Sequence, residues 1–453
     1  MRETKRQMTL YSFYDHTGLE RHFERMAARG WLLCGSGQYT WHYRRIEPKQ
    51  LTFCVCYYPR ASVFDPLPSV SQEEFYDFCA HTGWTLAAAS AQFQVFYNDR
   101  PNPVPIDTDP ALEVETIHQA AKKGWLVSQL ILLGVGVLNF GQFLWRLLDD
   151  PITALSSPLH LFSLVCWPVL FLMIGVELGT YFLWRRRALR AAEQGEFLAT
   201  RSHPMVQKLA LAVVSVGLVW CLACLRGGML VMMVAMLVCT FGMVFVVMRL
   251  RELLKRYKAS AGVNRAVTLG ACVILPVIMV VLVTALVLTS GGRWLAGSDE
   301  PPLALADLTE IPADGELDQD VRLSQSPLLA VLTASQYLRL GRSPGDPVPH
   351  WLQYTVIEVK ASFLYDVCKE RLLDKNGALG TDRLPVKYYV PIDPAPWGAE
   401  EAYCWTDGNH ALGNQYLLFY PDRIVEISLE WDQPPTPEQT AAVGERLGRG
   451  ELP

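Results

Sequence analysis

Five apolar runs, each near the roughly 20 residues that a helix needs to cross a bilayer, constrain this chain more than anything else in it. They are Trp125 to Trp145, Leu159 to Trp184, Leu209 to Leu225, Met229 to Met248 and Val267 to Leu288. Lipid offers no hydrogen-bond partner to backbone N–H and C=O groups, so runs of this length must close their bonds within a helix. Trp125, Trp145 and Trp184 stand at run ends, where indoles favour the headgroup level. Only Arg226, Gly227 and Gly228 separate the third run from the fourth, which predicts a tight hairpin. The chain is 51% hydrophobic with a mean hydropathy of +0.16, and the apolar excess is confined to this block. The expected organisation is an N-terminal domain over 1–115, a five-helix transmembrane region over 116–290, a linker over 291–320 and a C-terminal α+β domain over 321–453.

Basic residues orient the block. Arg185, Arg186, Arg187, Arg190, Arg201 and Lys208 lie between the second and third runs, and Arg249, Arg251, Lys255, Arg256, Lys258 and Arg265 between the fourth and fifth. Excess positive charge in short loops marks the cytoplasmic side. Lys122 and Lys123 before the first run agree. The loop after that run sets Arg146 against Asp149 and Asp150, and an acidic stretch from Asp299 to Asp320 follows the fifth run, so both read as outside. Met1 to Gln7 is charged and no apolar segment follows it, so the N-terminal domain is expected to stay in the cytoplasm and the C-terminus outside.

Residues 9–98 contain an internal repeat. In the first copy a helix-like stretch from Leu19 leads to Gly30 and Trp31, then to the alternating Tyr39, Trp41 and Tyr43. In the second, Glu73 to Thr82 leads to Gly83 and Trp84, then to Phe93, Val95 and Tyr97. Each Gly suits a helix C-cap in the left-handed region, and each Trp is expected to pack back on the helix it follows. With strands over Thr9 to Tyr14 and Leu51 to Tyr58 the order becomes βαββαβ, a ferredoxin-like fold. The runs FYDHTGLERHFERMAARGWLL, QYTWHYRRIEP, LTFCVCYYP and EEFYDFCAHTGW resemble a bacterial family described as domain of unknown function 2812, whose members place such a domain before several membrane helices. The resemblance covers about the first quarter of the chain. It implies bacterial origin and regulatory work, but no ligand or catalytic residue.

Chemistry-bearing motifs are sparse. No phosphate-binding loop, HExxH, nucleophile elbow or zinc-spaced cysteine pairs occur, so neither an enzyme nor a cofactor is expected. A net charge of -5 without a basic stripe argues against nucleic acid, and the basic, aromatic signature of an RNA-binding sheet is missing. Cys221 and Cys224 form one Cys-x-x-Cys inside the third run, where cysteine serves as a small apolar filler. Glu177 is the one acidic residue deep in a run, and a carboxylate in lipid is costly enough to need a reason. Two readings stand: a proton or cation site in the bundle, or a structural hydrogen bond to a polar partner such as Asn139 or Gln142. Gly175 and Gly179 flank it as a small-xxx-small motif that would admit a close helix. Pro168 and Pro276 are expected to kink their helices.

Beyond the block, 25 Asp and Glu against 13 Lys and Arg from Gly291 onward predict an acidic, well-solvated module. Leu352 to Val359 reads as a strand, Ala361 to Leu373 as a helix, Gln415 to Tyr420 and Arg423 to Trp431 as a hairpin, and Thr436 to Leu447 as a closing helix. Asp407 to His410, with Asp393, Glu400 and Glu401 upstream, lacks the ligand spacing of a calcium loop, and Asp-Gly-Asn is ordinary turn chemistry. Cys368 and Cys404, the two cysteines after the fifth run, are expected to form a disulfide outside the cell. Two folded domains on opposite sides of a membrane suggest a sensor or regulator with an unknown protein partner. A transporter or permease subunit using Glu177 is the alternative.

Overall fold

The computed structural model of the chain describes residues 3–8, 11–36, 40–66, 68–90, 92–225, 227–289, 300–311, 316–339, 351–374, 388–406, 412–430, 434–450 and 452. It divides into two compact units, one of residues 1–139, 165–217 and 236–283, the other of 140–164, 218–235 and 284–453.

The first unit opens with β1 (Thr4–Gln7), α1 (His16–Ala28), β2 (Trp31–Ser36), β3 (Trp41–Arg45), β4 (Thr52–Tyr57), α2 (Val70–His81), β5 (Thr85–Ser90) and β6 (Phe93–Asn98). The internal repeat is therefore βαββ, twice. Its strands form two antiparallel three-stranded sheets, ordered β1-β3-β2 and β4-β6-β5. This corrects the expected βαββαβ ferredoxin-like order. The chain from Tyr11 to Tyr14 is not a strand but the lead-in to the N-cap Asp15, whose carboxylate accepts from the Gly18 amide. The strands that follow each Gly-Trp, β2 and β5, were not anticipated. Gly30 and Gly83 do take positive φ, +81° and +88°, turning the chain from helix to strand.

Helix α1 of the first repeat packs on the sheet of the second. Leu19 and Phe23 are buried with Phe53, Val55 and Val95, and the fully buried Tyr43 joins them. Helix α2 closes the opposite face of that sheet over Cys56, Cys79, Trp84 and Phe96. Trp84 behaves as expected, packing beside Cys79 of its own helix, while Trp31 lies half-buried beneath the Arg45 guanidinium, 5.1 Å from its ring.

Then come α3 (Pro110–Lys123), α4 (Trp125–Asp149), α5 (Pro151–Ser156), α6 (Pro158–Ala192), α7 (Pro204–Cys224), α8 (Gly227–Arg256) and α9 (Ala261–Thr289). Asp109 caps α3 by accepting from the Ala111 amide, with Pro110 in its first turn. Five of these helices, α4 and α6 to α9, are long and apolar enough to cross a membrane, as the hydropathy of the sequence predicts. They overrun the apolar segments: α6 continues through Arg185, Arg186, Arg187 and Arg190, and α8 through Arg256. Pro168 and Pro276 lie inside α6 and α9. Among the described residues the close approach expected at Gly175 and Gly179 is not made, since a Cβ at either would meet nothing within 4 Å. It occurs at Gly136 instead, where a Cβ would stand 2.7 Å from Phe171 and 3.0 Å from Trp167.

The second unit is built on β7 (Glu316–Gln325), β8 (Leu329–Arg339), β9 (Trp351–Val359), α10 (Tyr365–Asp374), β10 (Tyr388–Ile392), β11 (Glu401–Thr406), β12 (Leu412–Phe419), β13 (Arg423–Glu430) and α11 (Pro437–Gly448). All seven strands form one antiparallel sheet, ordered β10-β11-β12-β13-β9-β8-β7. One face packs under α11 with Tyr354, Val356, Leu418 and Ile427; the other under α10 and Ile152 of α5 with Ile357, Leu417 and Ile424. Alternation along the strands sends neighbours to opposite cores. The strand, helix, hairpin and closing helix read in the sequence are all present, and Thr436 caps α11 with Gln439 in a reciprocal capping box.

Two expectations fail here. Leu303 and Leu305 are fully buried, and the buried Gln336 side chain holds the Leu303 carbonyl at 2.7 Å and the Leu305 amide at 2.8 Å. The described part of 291–320 is thus an arm of the sheet's core, not a spacer. Cys368 and Cys404 are buried free thiols rather than a disulfide. Cys404, on β11, points into the core under α11, whereas Cys368, on α10, belongs to the core of the opposite face.

Candidate functional site

Glu177 sits on α6, 4% exposed, and the structure supplies the reason for a carboxylate there. Its Oε1 accepts from the Ser12 hydroxyl at 2.9 Å and from Gln207 Nε2 at 2.6 Å, and Gln207 also reaches Ser12 Oγ at 3.4 Å. Ser12 lies just before α1 and Gln207 in the first turn of α7, so three distant segments meet on one oxygen. Neither partner anticipated for Glu177 is used. Asn139 instead donates to the Val135 carbonyl of its own helix at 2.8 Å.

Around this point the segment leading into α1 is tied to the C-terminal half of α6, to the first turn of α7 and to the chain between them. Tyr14 donates to Thr180 Oγ1 at 2.9 Å. Asp15, already the N-cap of α1, accepts from Thr200 Oγ1 at 2.9 Å, from the Ser202 amide at 3.2 Å and from the Ser202 hydroxyl. Thr17 and Thr200 exchange amide-to-hydroxyl bonds, each 3.1 Å. A cluster of rings seals the polar contacts: Tyr14 stacks on Trp184 at 5.6 Å and meets Tyr181 edge-on at 5.3 Å, and Phe13 stacks on Trp125 at 6.3 Å. Tyr181 shares a 2.7 Å hydrogen bond with His118 Nδ1 of α3. A further tie lies on α9, where the fully buried Asn264 donates to the Phe64 carbonyl at 3.1 Å.

Ionisable groups crowd the same joint. Burial pushes the Tyr14 phenol up to about 12, so it remains a donor at neutral pH. His16 Nε2 pairs with Glu113 of α3 at 2.9 Å. Burial alone would lower the imidazole, but the bond and charge of Glu113 outweigh it and hold the histidine above its ordinary value. One turn on, Glu20 accepts from the Val55 amide at 2.9 Å, and burial pushes its carboxyl up to about 7 against the pull of His16.

The hydrogen bonds of this arrangement join the segment before α1 to α6, α7 and the chain between them. Ser12 and Gln207, the polar side chains bonded to Glu177, are bonded to each other as well. Among the described residues no group of three or more His, Cys, Asp and Glu is placed to hold a metal ion. Asp407 to His410 lie outside the described residues. Cys221 is buried and Cys224 half-buried, both as free thiols. Sequence reasoning singled out Glu177 but missed Ser12, Asp15, Thr200, Ser202 and Gln207; the signal within reach was Asp15-His-Thr-Gly ahead of an amphipathic helix, an N-cap pattern that marks where α1 begins. Comparison of the chain with protein-family models, with curated proteins and with solved structures gave no match.

Proposed function

We propose that this chain is a membrane sensor or regulator in which the C-terminal domain, outside the membrane, registers a ligand or partner and the N-terminal domain, in the cytoplasm, reports it. The observation that carries the reading is the joint at Ser12, Tyr14 and Asp15. A domain tethered by a loose linker would ignore small movements of the membrane helices, whereas one bonded to α6, α7 and the chain between them must follow any shift of those helices. The basic extensions of α6 and α8 support the orientation. A protein partner of the N-terminal domain receives the output, with neither nucleic-acid binding nor a catalytic step required. The resemblance to domain of unknown function 2812 fits this regulatory role. A transporter using Glu177 is less well supported, because both of that carboxylate's contacts run to the joint rather than along a path through the bundle.

The test compares transcript profiles of cells lacking the protein with cells carrying Asp15→Asn, which keeps the helix cap but weakens the ties to Thr200 and Ser202. The reading expects the variant to reach the membrane at normal levels and to reproduce a large part of the deletion profile. A wild-type profile in Asp15→Asn, or solute uptake that tracks Glu177→Gln, would overturn it.

A further inference from the structure

The second core of the N-terminal domain contains a constellation that the joint does not use. Cys54 and Cys56 are two residues apart on β4 and so share a face; their Sγ atoms lie 3.5 Å from each other. Across from Cys56 in the β4–β6 register stands Gln94, 0% exposed, and neither its amide oxygen nor its amide nitrogen has a hydrogen-bond partner among the described residues. Phe96, Trp84 and Phe75 surround the thiols, Cys79 of α2 lies in the same core, and Asp107 Oδ2 is 4.0 Å from Cys56 Sγ. A buried primary amide with nothing to bind burdens the fold, and such groups call for an explanation.

Two chemistries could use paired thiols here. A disulfide between Cys54 and Cys56 would span two residues of a regular strand, about 6.6 Å between Cα atoms, at the far end of what a disulfide tolerates. It would also leave Gln94 as unpartnered as before. A metal ion answers both features: it takes the sulfurs as thiolates, and a thiolate is an acceptor for the amide N–H of Gln94. A four-ligand zinc centre does not fit, because among the described residues no third His, Cys, Asp or Glu is in ligand position. Two sulfurs in an apolar shell suit a soft ion of low charge and low coordination number.

We propose that Cys54 and Cys56 form a dithiol site for a soft metal ion of the monovalent-copper class, with Gln94 donating to the bound thiolates. Binding exchanges two thiol protons for one cation and leaves one net negative charge, which the Gln94 amide faces. Entry is from the side of Cys54, which is half-buried while Cys56 is buried.

The test uses the full chain, purified in detergent under reducing conditions, with Cu(I) alone supplied in competition with bicinchoninate. One ion per chain should be retained. Cys56→Ser should weaken binding by tenfold or more, and Cys34→Ser, which removes an exposed thiol, should leave it unchanged. Gln94→Leu separates the proposal from a merely structural role. It should raise the thermal midpoint of the metal-free protein, by removing an unpartnered amide, and still weaken Cu(I) binding about tenfold. In case a cysteine variant fails to fold, alkylation of the wild-type protein gives an independent readout: one equivalent of Cu(I) should slow labelling of Cys54 tenfold or more. Equal binding by Cys56→Ser, unslowed labelling of Cys54, or protection spread evenly over Cys34, Cys239 and Cys272 would overturn the proposal.

Discussion

A single buried carboxylate illustrates how far residue-scale reasoning reaches. The cost of a charge in an apolar run marks Glu177 from sequence alone, but its partner Ser12 is 165 residues away, and no local pattern points to it. The contacts predict how substitutions behave. In Glu177→Gln the amide oxygen can still accept from both Ser12 and Gln207, so the thermal midpoint should correspond to a change within about 1 kcal/mol. Glu177→Ala removes the acceptor shared by the buried Ser12 hydroxyl and the half-buried Gln207 amide, a loss of about 1–3 kcal/mol. Equal thermal shifts in the two variants would mean that the contacts carry no weight. His16 and Glu20 make a second prediction, on pH. An unfolded chain releases these protons near 6.5 and 4.5, whereas the folded chain holds both longer, Glu20 up to about 7. Wherever the folded state binds more protons, stability falls as pH rises. The Glu20 share is complete below 4.5 and lost by about 7; the His16 share is complete below 6.5 and drains above it. Melting curves across this range should fall toward alkaline pH, with Glu20→Gln flattening the lower part and His16→Gln the upper. A midpoint that rises with pH in the wild type would refute the assignment.

At the scale of elements, the sequence was legible where punctuation was strong and opaque where strands were built from poor strand formers. The repeat was readable because Gly30-Trp31 and Gly83-Trp84 each follow a helix. The ferredoxin-like order was misread because β1 is Thr-Lys-Arg-Gln and β5 is Thr-Leu-Ala-Ala-Ala-Ser, neither of which carries a β pattern. Likewise the disulfide expectation rested on compartment and number, while the alternation that puts Cys404 and Cys368 in opposite cores depends on pairing that composition does not reveal. The two glycines nonetheless differ in what surrounds them. A Cβ on Gly30 would lie 2.8 Å from the Ile46 backbone carbonyl, whose own amide is bonded to the Gly30 oxygen at 3.0 Å, so neither can yield. On Gly83 it would meet the Arg100 guanidinium at 3.0 Å, the far end of a flexible side chain. Both substitutions to Ala carry the left-handed penalty of about 1–2 kcal/mol. Gly30→Ala should add at least about 1 kcal/mol of overpacking. Chemical denaturation would check the order, and a Gly83→Ala variant less stable than Gly30→Ala would contradict it.

Over the whole molecule, the membrane block is the part that sequence determines most directly, because lipid removes every alternative to a helix. All five runs are helices here, and each begins or ends within a few residues of a Trp, a Pro or a basic cluster. The C-terminal sheet was only half legible. Its central pair β9 and β13 alternates cleanly, but β7, with Glu, Asp, Gln and Arg along it, is an edge strand whose polar residues hide the pattern. If all five helices cross, the odd number has a consequence that can be measured: the two termini lie on opposite sides. Positive charge at Arg185 to Arg190 and Arg249 to Arg256 is the ground for the proposal that the N-terminal side faces the cytoplasm. Epitope tags inserted beside Gly195, in the chain between α6 and α7, and near Pro434, ahead of α11, would report the two sides in intact cells. Gly195 has φ +75° and nothing near its Cβ position, so an insertion there disturbs little packing. The expected outcome is antibody access at Pro434 without permeabilisation and at Gly195 only after it. Access to both tags from one side would require an even number of crossings and break the five-span reading. The reverse pattern would keep the spans and invert the protein, moving the bonded joint outside and with it the domain proposed to carry the output.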